Sequence, residues 1–138
     1  MNSNEQIIKY FSVPHMDERG ILSVITENIP IKNFTIKRVF YVKIFARNSS
    51  RGGHAHYKII QILFNISGNL EIDYYNSANS GKVFLKENEG LIITPLTWVD
   101  IKSVSGDSIY IVLANDEYEE SEYIRDKKQF MEIISDDN

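Results

Sequence analysis

The sequence predicts a mainly β protein, an antiparallel sandwich or small barrel with a short C-terminal helix, and three observations carry that prediction. Clusters of Gly, Asn and Ser recur at short intervals: NSSRGG at 48–53, SGN at 67–69, NSANSG at 76–81, ENEG at 87–90 and SGDS at 105–108. Between them lie runs rich in Ile, Val, Phe and Tyr, the composition that suits a pleated, half-buried surface. Residues 115–134 break this pattern, because charges there surround Tyr123, Phe130, Met131 and Ile134 at near-helical spacing, with Asp126 as N-cap.

Taken in order, residues 1–20 supply an edge strand and then a turn at Asp17-Glu18-Arg19-Gly20. TIKRVFYVKIFA (35–46) places Arg38 on the same parity as Ile36, Phe40, Val42 and Ile44, so its guanidinium is aimed at the apolar side, with Tyr41 on the other. RGGHAHYKIIQ (51–61) reads as a strand with His54, His56 and Lys58 on one side, followed there by Ile60, Ile62 and Phe64. Gln61 then has the opposite parity unless a bulge intervenes. IIQILFNI, LEIDYY, KVFLK, GLIITP and SIYIVLA complete the strands, and the helix follows.

At 138 residues the chain is read as one domain, 1–138, with a real core. No apolar run approaches the roughly 18 residues of a membrane helix, and MNSNEQIIKYFSV lacks the apolar stretch of a signal peptide; a cytoplasmic protein is the simplest expectation. The absence of cysteine removes disulfides, thiolate metal sites and cysteine nucleophiles together. A net charge of −4 conceals a division into +5 over residues 1–60 and −9 over 61–138. From Asn28 to Leu70 there is no acid, yet Lys32, Lys37, Arg38, Lys43, Arg47, Arg51 and Lys58 all lie there. Such a stretch suggests either an anionic ligand or pairing with acids of the second half. The overall acidity argues against nucleic acid.

Two imidazoles on an inward face, behind a Gly-Gly turn, require partners or a ligand. They can hold a metal or move protons, and a neutral imidazole is the natural group to take and return a proton at neutral pH. Abstraction of a proton next to a carbonyl suits such a pair, with nearby cations stabilising the enolate. Arg38 and Arg51 are the candidates for binding an anionic group such as phosphate, and Lys58 for the same anion or a substrate carbonyl. Gln61 would contact the ligand or orient an imidazole, and Tyr41 and Trp98 are the candidate aromatic contacts. His15 reads as a surface or packing residue.

His54, His56, Gln61 and Gly68 resemble the first motif of the cupin barrel, HxH, a polar residue and Gly. Metal-binding cupins typically have Glu where Gln61 stands and a further His near Val99 and Asp100. Two histidines and a neutral amide make a weak ligand set, so no metal and no other cofactor is expected. More closely, KRVFYV (37–42), RGGHAHYK (51–58), Gln61, SGNLEI (67–72), the P-x-x-W segment ending at Trp98 and VLANDEYEESEYIRDKKQF (112–130) resemble the nucleotide-sugar 3,4-ketoisomerases over nearly the whole chain.

The resemblance implies a cupin (double-stranded β-helix, jelly-roll) barrel that moves the ketone of dTDP-4-oxo-6-deoxy-glucose from C4 to C3 without a metal. It implies His54 and His56 as the catalytic pair, through an enediol, with the base unassigned between them. It also implies a role in dTDP-3-amino-sugar supply for bacterial surface glycans, and a homodimer with exchanged N-terminal strands. Members giving the galacto-configured product resemble this chain in the Arg of the D-x-R-G turn, Arg19, but tend to carry His where Val99 stands. The competing readings are a sugar-nucleotide-binding cupin without activity and a metal-dependent cupin oxygenase; neither nucleic acid nor membrane is an expected partner.

Overall fold

The turn clusters do divide the chain into short strands. The computed structural model describes residues 7–136, in which two five-stranded antiparallel sheets face each other. In chain order the strands are β1 (Ile8–Phe11), β2 (His15–Asp17), β3 (Gly20–Leu22), β4 (Arg38–Ile44), β5 (Ser50–His56), β6 (Gln61–Ser67), β7 (Leu70–Tyr75), β8 (Ser80–Leu85), β9 (Glu89–Ile93), β10 (Trp98–Ser103), β11 (Ser108–Ala114) and β12 (Tyr123–Ile124). Helix α1 (Lys127–Asp136) ends the described chain. One sheet runs β1-β9-β6-β11-β4, the other β12-β5-β10-β7-β8, and β2 with β3 forms a separate hairpin. From β4 to β7, and again from β8 to β11, the chain alternates between the sheets, which is the jelly-roll arrangement.

Period-2 alternation sends one set of side chains from each sheet into the space between them. Leu63, Leu91, Ile93 and Val112 come from one side and Leu70, Ile72, Val99 and Ile101 from the other, all buried in one cluster. Ile62, Phe64, Ile92 and Leu113 face outwards from the first sheet and are covered by Ile25, Ile29, Ile31 and Phe34 of the segment before β4. On the outer face of the second sheet, Ala55, Trp98 and Ile124 pack beneath Phe130 and Ile134 of α1. Asp126 does cap this helix, its Oδ1 accepting from the backbone of Lys128 (2.9 Å) and Gln129 (3.4 Å).

Three expectations are corrected. RGGHAHYKIIQ is not one strand: β5 ends at His56 and β6 begins at Gln61 in the opposite sheet, so parity does not carry across 57–60. Ile62 and Phe64 therefore lie on an outer face, and Gln61 needs no bulge after the histidines to point inwards. Tyr123 is not on the helix stripe, since it lies in β12 and pairs with His56. The N-terminal expectation holds for the described part, with β1 at a sheet edge and a hairpin turning at Asp17–Gly20; residues 1–6 lie outside the described residues.

Candidate active site

A cavity of about 460 Å³ opens at one end of the space between the sheets. β4 contributes Arg38, Phe40 and Val42, which share a parity, as the sequence pattern requires. β5 contributes Ser50, Arg51, Gly52 and His54; β6 contributes Gln61 and Leu63; β10 contributes Val99 and Ile101. Tyr118, Tyr123 and Arg125, from the segment before α1, form the remaining rim with Tyr110 of β11.

The two glycines before the histidines set the geometry of β5. Val99 pairs with His54 and Asp100 with Gly52, so Gly53 is the extra residue of a β-bulge. Gly52 and Gly53 have φ of +106° and +71°, and a Cβ on Gly52 would lie 2.8 Å from the Val99 carbonyl oxygen. The bulge re-aims the strand so that His54 faces the cavity opposite Gln61.

His56 follows on the same face, with its ring 5.2 Å from that of His54 and at 89° to it. It is only 4% exposed, is not among the cavity-lining residues, and neither ring nitrogen has a hydrogen-bond partner among the described residues. Antiparallel pairing sets Tyr123 beside it, ring to ring at 4.4 Å, with His54 at 5.2 Å. Glu122 ties this segment to the β5–β6 crossing, its carboxylate accepting from the backbone of Lys58 and Ile59. Arg38 Nη1 donates to the Tyr123 hydroxyl at 3.0 Å, and the Arg125 guanidinium lies 4.2 Å from the Tyr123 ring centroid. Glu120 in turn holds Arg125 and accepts from the Tyr118 hydroxyl.

Burial lowers the pKa of both imidazoles. For His54 the positive charges of Arg125 and Arg38 add to that effect, while a Gly52 backbone hydrogen bond and Asp100 oppose it. His56 is pushed down to about 3 by burial, with His54, Arg38 and Arg125 contributing. A histidine that stays neutral when folded but titrates at its ordinary 6.5 when unfolded makes unfolding take up a proton below that pH. Stability is then lost as pH falls from 6.5 towards 3. Each unit inside that window amounts to at most about 1.4 kcal/mol for one histidine. Thermal unfolding between pH 6.5 and 5 should thus show a falling midpoint, and His56→Asn should make the fall visibly shallower.

Arg38, Arg51, Gln61, His54 and, behind them, His56 come together as the sequence suggests. Four other candidates do not join them in this chain. Tyr41 is 66% exposed on the outer face of β4, because it alternates with Phe40 and Val42. Trp98 alternates with Val99 on β10 and is buried under α1, 5.5 Å from the Phe130 ring. Lys58 is exposed in the β5–β6 crossing, and Arg19 is exposed at the hairpin turn, bound to Asp17 at 2.7 Å. Tyr118, Tyr123 and Arg125 were missed by the sequence reading; their signal was the aromatic and charged run 117–125, which precedes the helix cap at Asp126.

None of the seven cations between Asn28 and Leu70 has a carboxylate partner within 4.0 Å among the described residues. Nor do three or more His, Asp or Glu side chains converge in a metal-ligating group among those residues. Asp100 shares the strand parity of Trp98, whose Nε1 donates to it at 3.3 Å.

The model of the family described as FdtA, WxcM-like, C-terminal matches residues 3–135. The chain belongs to that family. It is 34% identical over 121 residues to the TDP-4-oxo-6-deoxy-α-D-glucose-3,4-oxoisomerase of Aneurinibacillus thermoaerophilus, covering 87% of this chain and 86% of that protein. A 3,4-ketoisomerase structure from Helicobacter canadensis superposes with a TM-score of 0.82 at 31% identity, over 94% of this chain and 97% of the other. A histidine-to-asparagine variant of the 3,4-ketoisomerase of Thermoanaerobacterium thermosaccharolyticum, in complex with TDP-4-keto-6-deoxyglucose, superposes at 0.84 and 27% identity over 99% and 97%. The WxcM-like chain is thus an isomerase of the sugar 3,4-ketoisomerase kind on a cupin barrel.

Proposed function

We propose that this chain converts dTDP-4-oxo-6-deoxy-D-glucose into the corresponding 3-oxo sugar by proton transfer through an enediol, with side chains alone carrying the protons. The observation that carries this reading is a neutral-leaning imidazole, His54, in the wall of a cavity that also presents the guanidiniums of Arg38 and Arg51, neither with a carboxylate within 4.0 Å among the described residues. A neutral imidazole can accept the proton from C3, which a protonated one cannot. The guanidiniums suit the diphosphate, each offering planar paired donors to its oxygens. His54 is the base because it faces the cavity; His56, buried beside it, packs edge-on against its ring. Gln61, on the facing sheet, is placed to contact the sugar.

The names of the relatives support a TDP-linked keto-sugar as substrate. Arg19 favours the galacto-configured product, acting from a second copy, since in its own chain it is remote from the cavity. Pairing of two copies with exchanged N-terminal strands is supported by apolar side chains left exposed on β1–β3 (Phe11, Met16, Ile21, Leu22), on edge strand β4 (Val39, Tyr41) and just after it (Phe45). Among the described residues no helix is long and apolar enough to cross a membrane, which accords with a cytoplasmic site of action. The product fits supply of dTDP-3-amino sugars for surface glycans.

Incubating the purified chain with dTDP-4-oxo-6-deoxy-glucose in D₂O tests the reading. Deuterium is expected at C3 of the recovered substrate and at C4 of a 3-oxo product whose configuration proton NMR assigns. Binding of TDP with neither exchange nor product would sink the reading in favour of a binding protein.

A further inference from the structure

Moving a ketone from C4 to C3 requires two proton transfers, one between carbons and one between oxygens. A single imidazole facing the cavity accounts for the first. His56, with both ring nitrogens buried and outside the cavity wall, is not placed to perform the second. Among the other ionisable hydroxyls of the wall, Tyr118 already donates its proton to Glu120 at 2.6 Å. Tyr110 is buried and its phenol is pushed up to about 12.

Tyr123 is different. Its ring lies 5.2 Å from that of His54 on the same wall, and its oxygen accepts from Arg38, which leaves its own proton free to point elsewhere. The Arg125 guanidinium covers the ring at 4.2 Å, so negative charge passing through the phenol oxygen is met by two fixed cations. β12 holds this arrangement by pairing Tyr123 with His56 and Ile124 with Ala55, and Ile124 is fully packed under α1.

We propose that the Tyr123 hydroxyl carries the proton between O4 and O3 of the keto-sugar while His54 carries the carbon-bound one, an assignment that rests on the isomerase reading above. In the first half, the C3–H electrons form the C3=C4 bond as His54 takes the proton. The C4 carbonyl electrons move to O4, which takes the proton of Tyr123. In the second half, the phenolate removes the O3 proton, the C3 carbonyl forms, and C4 takes the proton from the His54 imidazolium. C3 is oxidised and C4 reduced by the same electron pair, with no outside reductant, and both side chains return to their starting states.

The test measures two rates in D₂O with the intact chain and dTDP-4-oxo-6-deoxy-glucose, namely deuterium entry at C3 of recovered substrate and formation of the 3-oxo product. In Tyr123→Phe, product formation should fall at least about 10²-fold, the size of general acid–base assistance, while C3 exchange falls less than about tenfold. The enolate then still forms but returns to substrate. TDP binding within about threefold of wild type would show an intact pocket. Tyr123→3-fluorotyrosine, which keeps the ring and its contacts, should shift the pH dependence of product formation and leave that of exchange in place. A parallel fall of both rates in Tyr123→Phe, or undiminished product formation, overturns the assignment. Wild-type protein that neither exchanges nor isomerises defeats the isomerase reading instead, and this one with it.

Discussion

Replacing His54 with Asn should lower ketone transfer by roughly 10²–10⁴-fold, the range general-base catalysis supplies. His54 is the imidazole that reaches the cavity, and Asn conserves its approximate size and polarity without its basicity. Because Arg38 and Arg51 are untouched, TDP affinity measured by calorimetry should stay within about threefold of wild type. Exchange at C3 and isomerisation should be lost together, in contrast to the uncoupling expected at Tyr123. Retention of wild-type turnover would show that the base lies elsewhere.

Phe130→Ala should produce the largest loss of stability, about 3–5 kcal/mol, since an aromatic ring that is 0% exposed leaves a cavity its neighbours only partly fill. Its ring meets Trp98 at 5.5 Å and Tyr75 at 6.4 Å, and with Ile134 it fastens α1 over the second sheet. The effect reaches the site as well. β12 is only two residues long and is held by its pairing with β5 and by Ile124 in the same cluster. Loosening α1 therefore frees Tyr123 and Arg125. Urea denaturation should show the lower midpoint, and turnover should fall further than TDP binding even at temperatures where the variant remains folded. A variant with unchanged turnover and reduced stability would show that α1 supports the barrel alone.

Arg38 shows how much could be read without coordinates. Its parity with Phe40 and Val42 placed it towards the interior, and it does line the cavity. The acid-free stretch around it left two readings open, an anionic ligand or pairing with acids of the second half, and among the described residues no carboxylate lies within 4.0 Å of it. Trp98 shows the converse. An aromatic after P-x-x is compatible with either face of β10, and only the docking of α1 shows which face is covered. Tyr123 was assigned to a helix because its spacing to Phe130 and Ile134 matched a helical period, yet Glu122 draws the segment onto the end of β5 and turns it into a strand.

The strands, the capped helix and the paired histidines behind two glycines were legible without coordinates, because alternation, turn chemistry and capping act between residues close in the chain. Which histidine meets the cavity, and that Gln61 faces it from the other sheet, followed from the packing of the folded chain. It also brought Tyr123 and Arg125 to the rim. Those placements depend on a bulge paired against β10, on a crossing between sheets at 57–60, and on pairing between His56 and Tyr123. Contacts at that separation are set by which surfaces pack together, and no local periodicity encodes them.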